Sequence, residues 1–422
     1  MIEKEQIKQI LFEQRLSISN KPFGTVREKL AQIDKLKDLP HVVIITGLRR
    51  AGKSTFLRQI ISKYYNDKDY YYINFEDERF FNFRADNFNS IYEILVELFG
   101  KKRTFFIDEI QNIPNFERFV RRFYDNGFKF YITGSNASLL SSEIGSKLTG
   151  RHIDVTISPF SFSEFLEFNN IKISAENLYK TEERVVIKGY FEKYLYGGGI
   201  PEYVTYQEPE ILSRIYDDII IKDIAVRYGI ANLNQMRELY QYLITNFANR
   251  FSFTKLKNII GLGSVNTVKN YVNFLCDTYF AAAINKFDYS IKKQIVNEKK
   301  LYVVDNGFIH RISTKVTKDK GWFLVNLVFN ELSKSYNITY FKDSKSECDF
   351  ILQKENRITD AYQVCYDLSA GNEKRKITGL VSAMNEFNLS TATILTFDQE
   401  DKIILENKTI IVKPIWKWMI QK

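Results

Sequence analysis

The chain has 422 residues, 45% hydrophobic and 26% charged, a balance that excludes a disordered or fibrous protein and needs more than one ordinary core. A net charge of +9 favours polyanionic partners such as nucleic acid over basic ones. Three cysteines (Cys276, Cys348 and Cys365) without C-x-x-C spacing, and only three histidines, argue against a zinc site or disulfide framework and for a reducing compartment.

The first residues, MIEKEQIKQILFEQR, read as a charged amphipathic helix and not as a secretory leader. No apolar run approaches the roughly 18 residues of a membrane span, so a cytoplasmic protein without membrane contact is expected. Aromatics are abundant, with 34 Phe and 26 Tyr, and are assigned to cores.

HVVIIT (41–46) is a short β-branched run that reads as a buried parallel strand. GLRRAGKST follows at once, and FLRQIISKYY after it has helical character. Strand, glycine loop and helix are the setting a phosphate-binding loop requires, and Gly47-x4-Gly52-Lys53-Ser54 matches the G-x-x-x-x-G-K-[ST] spacing in full. The two glycines let the backbone N–H groups of Leu48, Arg49, Arg50, Ala51 and Thr55 turn toward phosphate oxygens. Lys53 can reach β- and γ-phosphates, and the Ser54 hydroxyl can face Mg²⁺. Arg49 and Arg50 either touch phosphate or face solvent.

RTFFIDEIQNIP (103–114) reads as a second buried strand ending in two acids. Asp108 is placed to hold Mg²⁺ and Glu109 to activate water as a general base. A third strand, FKFYITGSN (128–136), placed between the first two, would aim Ser135 and Asn136 at the γ-phosphate; helix capping is the competing role. Arg151, in LTGR, is the candidate for stabilising charge at that phosphate, in cis or from a neighbouring copy; a surface ion pair is the alternative.

As a set, GLRRAGKST, FFIDEIQN, YITGSNASLLSSE, LTGR and ISPFSFSEFL (157–166) resemble the prokaryotic AAA-type ATPases of the archaeal-type and STAND-related branch. YLYGGGIPEYV (194–204), IIIKDIAVRYGI (219–230) and KLYVVDNGF (300–308) resemble the segment DUF4143 that follows such domains. The resemblance implies ATP, a five-stranded parallel core and homo-oligomers.

Residues 167–232 read as helical connectors, with Gly197, Gly198 and Gly199 forming a packing turn. MRELYQYLITNFA, SFTKLKNIIG and SVNTVKNYVNFLCDTYFAAAI then read as three helices, the second capped by Ser252 or Thr254, followed by a two-stranded wing. A winged helix of this kind can read duplex DNA through Ser264, Asn266, Thr267, Lys269 and Asn270, or can serve as a spacer or protein contact.

The last 120 or so residues are similar to the restriction-nuclease-like α/β fold, with Glu331 on a helix and Asp349 on a strand as metal-binding acids. Where that pattern places E-x-K, this chain has Gln363-Val364-Cys365. Cysteine cannot replace an ammonium, so a binding module for DNA or protein is favoured over a nuclease. The expected division is an ATPase domain (1–166), a connector (167–232), a winged-helix-like domain (233–300) and a nuclease-like domain (301–422).

Overall fold

The computed structural model describes residues 3–20, 22–134, 148, 150–174, 178, 180–314, 320–369 and 371–421. The chain divides into two units, residues 1–158 with 277–279, and residues 159–276 with 280–422. The expected cuts at 232 and 300 do not appear as separate units in this division. Among the described residues, no helix is long and apolar enough to cross a membrane.

The first unit is built on five strands: β1 (Val42–Gly47), β2 (Tyr70–Asn74), β3 (Thr104–Asp108), β4 (Lys129–Thr133) and β5 (His152–Ile157). Their order is β2-β3-β4-β1-β5, and every pairing is parallel. All residues of β1 and β3 are buried. That is why VVIITG and TFFID are continuous apolar runs rather than alternating ones. Helices Lys53–Tyr64, Phe88–Phe99 and Glu117–Asp125 supply crossovers. Aromatic rings cement the sheet: Phe106 stacks on Tyr131 at 4.7 Å, and Phe105 on Phe130 at 5.1 Å. The aromatic content is thus largely core.

Because the strands are parallel, the carboxyl ends of β1, β3 and β4 lie on one edge. The glycine loop and the Asp-Glu pair therefore share that edge.

The second unit begins with helices Phe162–Phe168, Thr181–Gly197, Pro201–Tyr206 and Glu210–Asp218. Ser161 and Glu164 of the S-P-F-S-F-x-E run form a reciprocal cap, at 3.1 and 3.0 Å, which explains the wording of that run. A π-helix, Ile219–Val226, follows and has no signal in the sequence reading.

Next come helix Leu233–Thr245, β6 (Arg250–Phe251), helices Phe253–Ile260 and Val265–Asp277, β7 (Ala281–Asn285) and β8 (Lys299–Val303). The three strands pair in the order β6-β8-β7. Ser252, not Thr254, caps the second helix, accepting from the Lys255 N–H at 3.2 Å.

Helix Lys320–Leu332 leads to β9 (Asn337–Lys342), β10 (Glu347–Lys354), β11 (Arg357–Val364), helix Glu373–Glu386, β12 (Thr391–Thr396), β13 (Asp401–Leu405) and β14 (Lys408–Pro414). They form a mixed six-stranded sheet, β13-β14-β12-β11-β10-β9. IWKWMI, after β14, forms a helix, Ile415–Ile420, because Pro414 ends the ladder.

The glycine run is a packing turn. A Cβ on Gly198 would lie 1.7 Å from an Asp305 carboxylate oxygen, and one on Gly199 would lie 2.3 Å from the Phe160 carbonyl. Asp305 accepts from the Gly199 N–H at 2.6 Å and the Gly307 N–H at 2.8 Å. Burial pushes its carboxyl up to about 6, against the pull of those two N–H groups.

Two outcomes follow from this turn. Gly198→Ala is expected to destabilise the second unit by about 3 kcal/mol or more, read by thermal unfolding, since it adds both a clash and a strained φ of 73°. Asp305 keeps its proton in the folded chain up to about pH 6, whereas its ordinary value is 3.8. Its contribution to stability therefore falls as pH rises from about 4 to about 6, by on the order of 3 kcal/mol. Asp305→Asn should flatten that slope; an unchanged slope in chemical denaturation across pH would contradict the assignment.

Candidate functional site

The loop between β1 and helix Lys53–Tyr64 is shaped by two glycines. Gly47 has φ of 132°, and a Cβ there would sit 2.1 Å from the Ile157 carbonyl on β5. Gly52 has φ of 98° and precedes the first helical residue. Leu48 and Ala51 are buried and anchor the loop from beneath. Lys53 is buried, and its ammonium donates to the Gly47 and Leu48 carbonyls at 3.2 and 3.1 Å. The ammonium is thus folded into the loop, on the side where phosphate oxygens would compete for its protons. Arg50 is exposed at φ of 64°, Arg49 is half-buried, and the Ser54 side chain is exposed beside half-buried Thr55.

The loop is braced by residues with no motif signal. The Arg27 guanidinium donates to the Ala51 carbonyl at 2.8 Å and also reaches the Ser158 carbonyl, so it spans loop and strand end. Gln59, on the loop's own helix, binds the Phe23 and Thr25 carbonyls at 2.8 and 2.7 Å and holds residues 22–28 against that helix.

Asp108 ends β3 and is buried. Glu109 follows in the left-handed region, φ 51°, which turns its side chain off the strand direction. Thr133, the last residue of β4, joins the two. Its hydroxyl donates to the Asp108 carboxylate and accepts from the Glu109 N–H at 2.9 Å. Gln111 in turn donates to the Glu109 carboxylate. Burial raises the Asp108 carboxyl above its ordinary value; the Thr133 hydroxyl pulls it back, and the Glu109 charge adds to the rise.

Ser54, across from Asp108, also pulls its carboxyl down. A hydroxyl and a carboxylate side by side are hard oxygen donors and suit Mg²⁺. Both line a cavity of about 560 Å³ that includes Arg58, Tyr72, Asn74 and Asp77. A larger one, about 1240 Å³ around Phe75, Phe83 and Arg118, does not touch the loop.

Of the expected residues, the fold brings Gly47, Gly52, Lys53, Ser54, Asp108 and Glu109 to one edge. Ser135 and Asn136 lie outside the described residues. Arg151 is not brought to the loop. Its carbonyl accepts from the Val42 N–H at 2.9 Å, at the opposite end of β1, roughly 16 Å away by strand rise. Its guanidinium meets Asp125 at 3.4 Å, the ion pair that was the alternative reading.

Nor do the expected nuclease residues assemble. Glu331 pairs with Lys334 at 2.7 Å, Gln363 spends its carbonyl on the Asp349 N–H at 2.9 Å, and Cys365 is buried, its thiol pushed up to about 11. Among the described residues, no group of three or more His, Cys, Asp or Glu side chains could hold a metal. Thr133, Arg27 and Gln59 were missed; a Thr ending the apolar run FKFYIT, two positions before Ser135 in sequence, was the available hint for the first.

The strand, loop and acidic strand end define an AAA-type P-loop domain, and residues 40–166 match the family model described as an AAA domain. Residues 188–319 match a domain of unknown function, DUF8612, and not the DUF4143 segment that the wording resembled. The chain is 34% identical to an uncharacterized protein of Methanocaldococcus jannaschii, MJ1544, over 98% of this chain and 96% of that protein. It is 30% identical to an uncharacterized protein of Haemophilus influenzae over 78% of this chain and 84% of that one. The chain belongs to the family of these proteins. Among solved structures, that of the Aeropyrum pernix Orc1 protein in complex with DNA is similar at 10% identity and a TM-score of 0.31, over 70% of this chain and 94% of that one. A likeness that weak carries no argument about function.

Thr133→Val keeps the volume and removes the hydroxyl. It leaves the half-buried Glu109 N–H without its Thr133 partner, at a cost of about 1 kcal/mol. Steady-state ATP turnover is expected to fall in kcat with little change in KM, and Thr133→Ser to recover most of it. A parallel rise in KM would point to a collapsed loop instead.

Proposed function

We propose that the protein is a Mg²⁺-dependent ATPase whose nucleotide state acts, through the second unit, on duplex DNA. One observation carries the hydrolytic part: a buried Lys53 and exposed Ser54 share a sheet edge with an Asp108–Glu109 pair tied by Thr133. In this reading, the loop N–H groups and the helix N-terminus cradle the phosphates. Lys53 exchanges its two carbonyl contacts for β- and γ-phosphate oxygens. Ser54 and Asp108 hold Mg²⁺, which neutralises phosphate charge. Glu109, half-buried and already turned off its strand, takes a proton from water, and Gln111 restrains its carboxylate until then. Arg151 lies at the far end of its own sheet, so as a catalytic arginine it could serve only a second copy of the chain. A cytoplasmic setting fits this reading.

The DNA part rests on residues 233–303. Helix, short strand, two helices and two strands pairing as β6-β8-β7 is the order of a winged helix. On helix Val265–Asp277, residues Val268, Tyr271, Val272 and Leu275 face inward. Asn266, Lys269, Asn270 and Asn273 form an exposed stripe. Asparagine and lysine suit base edges and phosphate. Ser264 and Thr267 are less available, since Ser264 caps the helix through the Thr267 N–H at 3.0 Å.

The test is ATP turnover with Mg²⁺, with and without duplex DNA, using Lys53→Ala as control. Lys53→Ala should lower turnover by at least ~100-fold. Duplex DNA should raise wild-type turnover, and Lys269→Ala should blunt that response. Turnover that ignores DNA would move the second unit to a protein-docking role. Equal rates for wild type and Lys53→Ala would remove the ATPase reading.

A further inference from the structure

The second unit holds a cleft of about 580 Å³ beside β10, and its lining includes none of the stripe on helix Val265–Asp277. Its floor carries two acids. Glu347 and Asp349 alternate on β10 and so share a face. Each meets a lysine. Lys300, 3% exposed, binds Glu347 at 2.7 Å and stands 3.9 Å from Asp349. Lys376 reaches in from helix Glu373–Glu386, donating to the Asp349 carboxylate at 3.2 Å and to the Val364 carbonyl at 2.7 Å. The Val364 N–H donates to the same carboxylate at 3.0 Å.

A carboxylate and a backbone carbonyl converging on one point are what a hard divalent cation needs. Here an ammonium occupies that point. The two acids meet two ammonium groups and the Arg250 guanidinium, 3.4 Å from Glu347, so their charge is balanced without a metal. Burial alone would raise the Asp349 carboxyl, but Lys376 and Lys300 hold it below its ordinary value.

The rim differs from the floor. Lys342, Lys345 and Arg375 line it, and among the described residues none of the three is in an ion pair; the rim acid is Asp367. Two aromatic rings stand at the mouth, Trp322 at 37% and Tyr366 at 36% exposure. Phe397 stacks under Tyr366 at 5.0 Å and holds its ring. Basic rims follow phosphates, and exposed rings accept unpaired bases, which a duplex keeps stacked on one another.

We propose that this cleft binds the phosphodiester backbone of a single-stranded nucleic acid without a divalent metal and without cleaving it, Lys376 standing where a catalytic cation would sit. The rim cations take the phosphates, and Trp322 and Tyr366 take the bases. This contact is separate from the duplex contact proposed above and does not depend on ATP.

The test uses the full chain, no nucleotide, and a labelled oligodeoxythymidine of roughly 20 nucleotides, longer than one such cleft spans. Fluorescence anisotropy in EDTA should show binding. The doubly substituted Lys345→Glu/Arg375→Glu protein should lose at least ~10-fold in affinity with a shallower salt dependence. Both side chains are exposed, so its melting temperature should match wild type. Trp322→Ala should also weaken binding, while Lys269→Ala should not. The oligonucleotide should stay intact with Mg²⁺ or Mn²⁺. Absence of binding in EDTA, or affinity indifferent to the rim substitutions, overturns the proposal. So does metal-dependent cleavage lost in Asp349→Ala, which would mean that a cation displaces Lys376.

Discussion

The hydroxyl of Thr133 is the joint on which the candidate nucleotide site depends. A parallel sheet brings strand ends to one edge, but it does not orient what hangs from them. One oxygen, donating to the Asp108 carboxylate and accepting from the Glu109 backbone N–H, ties the side chain of one acid to the backbone of the other. It can do so because β4 lies between β3 and β1, so its last residue faces both the acid pair and the loop. The loop has its own constraint: Gly47 must let β5 approach so closely that no Cβ fits.

The second unit shows the same economy with buried polar groups. Asp305 is fully inside the fold and is met by two backbone N–H groups in a turn that only glycine can make. In the cleft beside β10, charges are paired in place of being hydrated, with Lys300 and Lys376 answering Glu347 and Asp349. A buried charge without a partner costs several kcal/mol, so such pairs restrict which ligands the unit accepts. A cleft whose acids are already paired has less to offer a metal than one with bare acids.

The P-loop and the Asp-Glu strand end were legible because their chemistry is carried by neighbours in sequence: a turn, a helix start, a strand end. The choice left open for Arg151 could not be made in sequence, because LTGR says nothing about which end of a strand it precedes; the fold pairs it with Asp125. Glu331 and Asp349 were matched to a metal pair by resemblance to a fold, but Glu331 pairs with Lys334 on its own helix. The missing lysine of the E-x-K position was sought two residues along β11, while a lysine from the next helix fills the space.

By itself, the sequence determined the parallel sheet, the phosphate loop, the acidic strand end and the packing nature of the glycine turn, since each depends on local backbone preference and on apolar runs. Only the tertiary structure decided that Thr133, Arg27 and Gln59 brace the site, that Arg151 stands at the far end of β1 from the loop, and that Lys376 meets Asp349 and the Val364 carbonyl. These are contacts between residues up to 131 positions apart. Side-chain hydrogen bonds over such distances leave no periodicity or spacing in a single chain for a reader to find.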